Sequence, residues 1–180
     1  MKLRAAAALV VMGATIQACK SGETPRGIAS TVAPAALAPV PANTGASKRP
    51  VFVRGPSGGA AVAPFIASEL AKGRSGHYGV LVYVGATWCE PCQGFHKAVA
   101  AGDFDEMLAG VRMLEFDLDE DREPLATAGY SSELIPLIAL PKQDGTASEH
   151  RIEGSIKGPD AVRQNLMPRL RAFLQGQAAG

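Results

Sequence analysis

The stretch "VLVYVGATWCEPC", residues 80–92, contains the features that decide the fold. Its first part, "VLVYVGA", is a continuous apolar run rich in β-branched residues, which is typical of a strand buried on both faces of a sheet. Cys89 and Cys92 follow directly, and the segment after them has the pattern of a helix. A cysteine pair with two intervening residues is compatible with a redox pair, half of a zinc site or a structural disulfide.

The position of the pair between a strand and a helix favours redox chemistry. Cys89 would lie at the helix N-terminus, where free N–H groups and the helix dipole stabilise an anion and so favour the thiolate. Cys92 would lie one turn further into the helix, where it is better placed to resolve a mixed disulfide than to start one. Pro91 would occupy the first turn, where its missing N–H costs nothing. We therefore predict Cys89 and Cys92 as the catalytic residues.

The other two interpretations of the pair are weaker. A structural zinc site needs four ligands, but there is no second cysteine pair, and the three histidines, His77, His96 and His150, are scattered along the sequence. We therefore predict no metal site. A disulfide across two residues closes a very small loop, so it restrains the unfolded chain little. A purely structural role remains an alternative but would stabilise the fold weakly.

Hydrophobic periodicity predicts an α/β fold in which helices cover a sheet, with the order β-α-β-α-β-α-β-β-α. The predicted strands are residues 51–55, 78–86, 111–119, 135–140 and 148–154. The predicted helices are residues 60–73, 92–102 with a continuation or restart over 104–110, a short piece within 123–129, and 158–176. Pro168 lies inside the last helix, where it predicts a kink or a break.

The front of the chain predicts export and a lipid anchor. Residues 1–18 have a short basic start and an apolar stretch too short to span a bilayer, as in a signal peptide. The stretch ends in "IQAC", which resembles a bacterial lipobox, so Cys19 is the predicted lipidation site; an ordinary secretory signal is the alternative. Residues 19–49 are rich in Pro and Ala and predict a flexible tether. Residues 50–180 form the predicted domain, facing the periplasm from the bacterial cell envelope.

Beyond the cysteine pair, the sequence resembles the thioredoxin-like superfamily. The carriers of the resemblance are Trp88 before the first cysteine, the Ile135-Pro136 dipeptide, the "DG" turn at residues 144–145, and Gly154 before the last helix. The resemblance implies a thioredoxin fold, with a central mixed sheet flanked by helices, and a cis peptide at Pro136. It also implies a substrate groove beside the disulfide, to which we assign Trp88, Glu90, Pro91, Ile135 and Pro136.

One position departs from the thioredoxin pattern. Thioredoxins carry a buried aspartate in the strand before the active site, and this chain has Tyr83 there. A carboxylate can accept the proton of the resolving cysteine, whereas a tyrosine, with an ordinary pKa of about 10, is a poor acceptor near neutral pH. The candidates for the proton acceptor are Glu90, inside the motif, and Glu115, on the neighbouring strand; proton transfer through water is the alternative.

The function implied by the resemblance is that of exported or lipid-anchored thiol–disulfide interchange proteins. We expect a membrane-tethered thiol–disulfide oxidoreductase that reduces or exchanges disulfides in exported cysteine-containing proteins. It would need no cofactor, act as a monomer, and receive electrons from a transmembrane thiol reductase. The chain has 18 Lys+Arg and 17 Asp+Glu, which gives no reason to expect nucleic acid as a partner. The alternatives are a non-catalytic binding module and a thiol-based metal-delivery protein.

Overall fold

The structure is a computed structural model that describes residues 49–58 and 60–178. The predicted signal segment, the lipidation site Cys19 and, except for Arg49, the predicted tether lie outside the described residues. Among the described residues, no helix is both long enough and apolar enough to cross a bilayer.

Among residues 49–58 and 60–178, five strands form one mixed sheet at the centre of the domain. They are β1 (Val51–Arg54), β2 (Gly79–Gly85), β3 (Val111–Asp117), β4 (Leu137–Pro141) and β5 (Ala147–Glu153). Their order across the sheet is β1-β3-β2-β4-β5. β3 pairs in parallel with both β1 and β2, whereas β4 pairs antiparallel with β2 and β5 antiparallel with β4. The predicted strands are confirmed, with shifts of no more than two residues at their ends.

Within the described part of the chain, four α-helices pack against the sheet. They are α1 (Val62–Gly76), α2 (Glu90–Ala101), α3 (Arg122–Thr127) and α4 (Met167–Ala178). The order of elements is the predicted β-α-β-α-β-α-β-β-α. A central mixed sheet with this strand order and helices on both faces is the thioredoxin fold that the sequence resemblance implies.

Every residue of β2 is buried, because the strand lies inside the sheet and both of its faces are covered. Leu81 and Tyr83 point to the face that packs against α2 and α4. Val80, Val82 and Val84 alternate with them and point to the face that packs against α1 and α3. This double burial explains the continuous apolar run in the sequence, and it fixes the point at which the chain leaves the sheet for the cysteine motif.

The helix predicted to continue or restart over residues 104–110 does not form. α2 ends at Ala101, and Gly102 follows in the left-handed region at φ 89°, with its N–H donating to the carbonyls of Ala98 and Val99. Residues 102–110 then run as turns up to β3. Glycine reaches positive φ without steric cost, so it ends the helix even though the apolar pattern continues beyond it. Phe104 and Leu108 are buried from these turns.

The last predicted helix does not break at Pro168 but changes its hydrogen bonding just before it, and residues 161–178 are helical throughout. Residues Val162–Leu166 form a π-helical turn, and the N–H of Met167 donates to the carbonyl of Val162. Pro168 directly follows this turn as the second residue of α4, so the N–H that proline lacks falls where the hydrogen-bonding pattern changes from π to α. The wide turn before it therefore accommodates the proline with little cost to the helix that follows.

The "DG" pair forms the turn between β4 and β5, as predicted. The carboxylate of Asp144 accepts hydrogen bonds from the N–H and the hydroxyl of Thr146 at 2.9 and 2.7 Å. These bonds hold the pKa of Asp144 below its usual range, the hydroxyl bond having the larger effect. Gly145 has φ +83°, and its carbonyl accepts a hydrogen bond at 3.0 Å from the buried hydroxyl of Tyr130. The turn is thus tied to the core.

Candidate active site

The cysteine motif lies where β2 leaves the sheet and α2 begins. Cys89 and Cys92 form a disulfide with their Cα atoms 5.2 Å apart. Cys89 is the N-cap residue of α2, and Pro91 lies in the first turn, as the sequence predicts. Both cysteines are nearly buried, with 4% of Cys89 and 2% of Cys92 exposed. The pair therefore sits at the helix N-terminus with only a small window to solvent.

The N-terminus of α2 provides a hydrogen-bond donor for the first cysteine. The N–H of Cys92 donates to Sγ of Cys89 at 3.2 Å. In the reduced protein, the same N–H and the positive end of the helix dipole would act on the Cys89 sulfur, and both favour the thiolate over the thiol. The backbone of α2 thus supplies the environment that a nucleophilic cysteine requires.

The loop before β4 lies against the disulfide. The Ile135-Pro136 peptide is cis, as the resemblance implies, and the carbonyl oxygen of Ile135 lies 3.8 Å from Sγ of Cys89. The N–H of Gly154 donates to the carbonyl of Pro136 at 2.9 Å, which attaches the loop to the end of β5. Residues far apart in the sequence are thereby held next to the sulfur of Cys89.

Three large apolar side chains that are near the motif or the cis-proline loop in the sequence or through backbone contacts are exposed. Trp88 is 64% exposed, and its indole N–H donates to Oδ2 of Asp119 at 2.7 Å, which fixes the ring. Leu134 is 60% exposed and directly precedes Ile135, and Ile156 is 50% exposed in the loop that follows Gly154. Trp88 was predicted from the sequence, whereas Leu134 and Ile156 were not. Their signal was an apolar residue within two positions of a predicted landmark, Ile135 for Leu134 and Gly154 for Ile156.

The residues between the two cysteines face a different depression. Oε1 of Glu90 accepts a hydrogen bond from the N–H of Gly158 at 3.0 Å. Glu90 and Pro91 line a cavity of about 560 Å³ together with Pro159 and Val162, which precede α4. The predicted groove residues thus fall into two groups. Glu90 and Pro91 lie on the side of α4, whereas Ile135 and Pro136 form the cis-proline loop and Trp88 directly precedes Cys89.

Tyr83 occupies the core behind the motif. Its side chain is 1% exposed, and its ring stacks on Phe95 with centroids 5.4 Å apart. Its hydroxyl has no hydrogen-bond partner among the described residues. Burial, together with the negative charge of Glu115, raises the pKa of Tyr83 far above its ordinary value. The phenol therefore keeps its proton throughout the neutral range.

Glu115, the second candidate proton acceptor, is paired with a histidine. It lies opposite Tyr83 in the parallel register of β2 and β3. Its Oε1 lies 2.9 Å from Nε2 of His96 on α2. Tyr83, Cys92, His96 and Glu115 line a cavity of about 420 Å³. The structure thus brings Glu115 to the cavity that Cys92 also lines, while Glu90 lines the other cavity.

Replacing Tyr83 with phenylalanine is expected to make the protein more resistant to alkali. Above pH about 10 the unfolded chain loses the phenolic proton that the folded protein retains, so stability falls as pH rises further. The substitution should make this fall shallower by about 1.4 kcal/mol per pH unit. At pH about 7 the free energy of unfolding should stay constant or rise by up to about 1 kcal/mol, because the removed hydroxyl is buried without a partner.

Urea unfolding at neutral pH and at two alkaline pH values measures both effects. Tyr130→Phe is the matched control, because burial also raises the pKa of Tyr130 but its hydroxyl donates to Gly145. That variant should show the same shallower alkaline fall and lose about 1 kcal/mol at neutral pH. An unchanged alkaline slope in Tyr83→Phe would contradict the assignment of a raised pKa.

The described residues contain no group of three or more Cys, His, Asp and Glu side chains arranged to hold a metal ion. His96 is paired with Glu115, and His77 lies at the C-terminus of α1 in the left-handed region. The cysteine pair is thus not joined by further ligands within residues 49–58 and 60–178.

No protein-family model matches this chain, and no curated protein matches it. Among solved structures, it is similar to a mutant thioredoxin from Halobacterium salinarum, with 19% identity, 75% of this chain and 96% of that chain covered, and a TM-score of 0.44. Fasciola hepatica thioredoxin has 21% identity, 62% and 93% coverage, and a TM-score of 0.38. Oxidized thioredoxin O2 from Arabidopsis thaliana has 19% identity, 69% and 92% coverage, and a TM-score of 0.41.

Proposed function

Starting from a thioredoxin fold with a CxxC disulfide beside a cis-proline loop, we propose that this protein is a thiol–disulfide oxidoreductase. The observation that carries the proposal is the environment of Cys89. Its sulfur receives an N–H from the start of α2 and lies 3.8 Å from the Ile135 carbonyl, at a window bordered by apolar side chains. A static disulfide requires none of these features.

The chemistry is exchange between two disulfides. In the reduced protein, the Cys89 thiolate attacks a substrate disulfide, and one substrate sulfur leaves as a thiolate. Cys92 then loses its proton and attacks Sγ of Cys89, which releases the second substrate sulfur and forms the disulfide seen in the structure. Two electrons pass from the cysteine pair to the substrate. A partner dithiol returns the pair to its reduced form, and a transmembrane thiol reductase is the partner we propose.

The apolar surface around the window supports a polypeptide substrate. Three large apolar side chains are more exposed than is usual for such residues: Trp88, Leu134 and Ile156. Trp88 directly precedes Cys89, and Leu134 directly precedes the cis-proline pair. Ile156 follows Gly154, whose N–H donates to the carbonyl of Pro136. An unfolded segment with a cysteine next to apolar residues would bury these side chains on binding. We therefore propose exported proteins with incompletely folded segments as substrates.

Replacing Leu134 with serine is expected to raise the KM for a disulfide-containing apolar peptide about three- to tenfold, since losing roughly 1 kcal/mol of apolar burial weakens binding by that factor. The rate with the small reductant dithiothreitol should not change, because it does not need the apolar surface. Steady-state kinetics with both reactants checks this. Val51→Ser is the matched control, an exposed apolar residue on β1 away from the motif. Equal losses with both reactants would contradict a binding role.

We also propose that the protein works in the bacterial cell envelope, anchored by lipid at Cys19 and facing the periplasm. The support is the signal-like segment, the lipobox resemblance and the Pro- and Ala-rich stretch before the domain. Labelling of growing cells with a fatty acid, followed by fractionation, tests the anchor. Cys19→Ala should abolish both the label and the membrane association; label retained in that variant would remove the proposal.

The reduction potential tests the redox function. The protein is equilibrated with glutathione or dithiothreitol mixtures, and the fraction of reduced Cys89 and Cys92 is measured by thiol alkylation. An exchanging pair should have a potential between about −120 and −270 mV and should catalyse the reduction of insulin disulfides. A potential below about −300 mV without insulin reduction would indicate a static disulfide in a non-catalytic binding module.

A further inference from the structure

Thiol–disulfide exchange at this site requires a proton acceptor for Cys92. The buried aspartate that thioredoxins carry in the strand before the active site is replaced by Tyr83 in this chain. Cys92 is 2% exposed, so bulk solvent has little direct access to its thiol. Tyr83 is the side chain that projects from β2 behind the motif, and burial raises the pKa of Tyr83, so its phenolate is not available as a base. Glu90 is bound to the Gly158 N–H on the other side of the helix start.

The cavity behind the motif contains a basic group in the right place. Cys92 and His96 are four residues apart on α2, so they lie on the same face of the helix, with Cβ atoms about 6 Å apart. Both line the cavity of about 420 Å³, which has room for several water molecules. Water in this cavity would connect the Cys92 sulfur with the imidazole of His96.

The imidazole is held in position by its neighbours. Its Nε2 lies 2.9 Å from Oε1 of Glu115, so the neutral ring donates that N–H to the carboxylate and retains Nδ1 as the proton-accepting nitrogen. The ring lies 4.6 Å from the Phe52 ring at an angle of 31°, and the edge of Tyr83 contacts it with centroids 5.2 Å apart. Three strands thus contribute one contact each to a fixed orientation.

From this arrangement we propose that His96 is the proton acceptor for Cys92, with Glu115 as its positioning residue. The inference rests on the proposed exchange reaction. The chain has no carboxylate at the position of Tyr83 to accept the proton of Cys92. The histidine on α2 would take over this task, and the glutamate on β3 would hold it in place.

The step balances as follows. The Cys92 thiol gives its proton to a cavity water, which passes a proton to Nδ1 of His96. The Cys92 sulfur attacks Sγ of Cys89 with the electron pair left behind, and the bond between Cys89 and the substrate sulfur breaks. The substrate leaves as a thiolate and takes a proton from solvent, while the imidazolium returns its proton to solvent. The positive charge formed on His96 is stabilised by the Glu115 carboxylate.

Other charged groups face the same cavity and belong to its electrostatic balance. Arg54 approaches from β1, Lys97 from α2 and Asp117 from the end of β3. Arg54 is paired with Glu120 at 2.8 Å, so its charge is partly compensated outside the cavity. Of the charged groups that line this cavity, Glu115 is the one whose contact with the imidazole the structure gives directly.

A two-phase reaction separates the two cysteines experimentally. The reduced full-length chain, with Cys19→Ser so that two thiols remain, is mixed with dithiobis(nitrobenzoic acid) in a stopped-flow instrument. Attack by Cys89 releases one coloured thionitrobenzoate, and attack by Cys92 on the mixed disulfide releases the second. In His96→Gln, the rate constant of the first phase should stay within about twofold of that of the unsubstituted chain. The rate constant of the second phase should fall at least about tenfold, which is less than the full contribution that general base catalysis usually makes.

Three further measurements distinguish proton transfer from a structural effect. The pH profile of the second phase should lose one ionisation in His96→Gln. Imidazole added to the buffer should restore the second phase of His96→Ala, which leaves space for it. Glu115→Gln, which keeps the hydrogen bond but removes the charge, should slow the second phase by a smaller factor. His77→Asn is the matched histidine control and should behave as the unsubstituted chain, since asparagine tolerates the left-handed backbone of His77.

The outcomes are separable. If the unsubstituted chain shows no first phase, the proposed exchange function fails, whatever His96 does. If both phases appear and His96→Gln leaves the second phase and its pH profile unchanged, this inference alone is overturned. The inference is also overturned if Glu90→Gln slows the second phase and His96→Gln does not. It is overturned as well if Glu115→Gln slows the second phase more than His96→Gln does. Thermal unfolding of each variant confirms that the compared proteins are folded.

Discussion

Cys92→Ala is expected to accumulate a covalent adduct between Cys89 and its substrate, whereas Cys89→Ser should react with no substrate. The reason is the division of roles at the start of α2. Cys89 is the N-cap residue whose sulfur receives the helix N–H, and Cys92 lies inside the first turn with 2% of its surface exposed. Removing the resolving sulfur leaves the first attack intact and stops the reaction at the mixed disulfide.

The expected effects are large. Cys89→Ser should lower insulin reduction by at least about a thousandfold, because a serine hydroxyl is a far weaker nucleophile than a thiolate near neutral pH. Cys92→Ala should retain a single round of attack while losing turnover to a similar extent. Neither variant should unfold, since the disulfide closes a loop of only a few residues and its loss costs about 2 kcal/mol or less.

Non-reducing gel electrophoresis and mass spectrometry of the captured adducts measure this result. The same experiment performed in cells with the Cys92→Ala chain identifies the substrates. Lys142→Ala, a substitution in the turn between β4 and β5, serves as a control that should show no adducts. Equal trapping by Cys92→Ala and Cys89→Ser variants, or trapping through Cys92, would reverse the assigned roles.

Gly145→Ala is expected to be the most destabilising single-methyl change among the described glycines with positive φ. A Cβ at this position would lie 2.0 Å from the carbonyl oxygen of Ala63 and 2.9 Å from the nitrogen of Ala67, so it would collide with the backbone of α1. Backbone atoms inside a helix cannot move aside as a flexible side chain can. Gly145 also has φ +83°, a conformation that costs an alanine about 1–2 kcal/mol.

The two costs together predict a loss of about 3 kcal/mol or more in the free energy of unfolding. Gly58→Ala separates them, because Gly58 has φ +75° but nothing lies within 4 Å of the position of its Cβ. The control should therefore show the backbone cost alone, about 1–2 kcal/mol. Urea unfolding of both variants measures the difference. If Gly145→Ala is no less stable than Gly58→Ala, the close contact between the turn and α1 is wrong.

The sequence predicts those parts of the fold that depend on local pattern. The apolar run of β2 and the cysteine pair at the start of α2 each have a cause within a few residues, and the structure confirms them. Pro168 also acts locally, although the helix answers it with a π-helical turn and not with a break. The cis peptide at Pro136 was implied by resemblance, since nothing local in "IPLIAL" distinguishes it from a trans peptide.

Other features depend on residues that are distant in the sequence. The contact between His96 and Glu115 exists because β3 pairs with β2 in one particular register and α2 crosses above both. A one-residue shift would turn Glu115 to the opposite face of the sheet. The turns over residues 102–110 escaped prediction for a different reason, because buried Phe104 and Leu108 mimic the spacing of a helix. In each case the deciding information is tertiary.

The complete burial of β2 has a consequence for engineering this domain. No residue of the strand reaches solvent, so each substitution there must fit a packed interior on one face or the other. The side chains around the redox window, by contrast, belong to loops, and Leu134 and Ile156 expose half or more of their surface. Altering them costs little folding free energy. On the proposed function, substrate range and thermal tolerance are therefore separately adjustable properties, and loop libraries can be screened without first stabilising the scaffold.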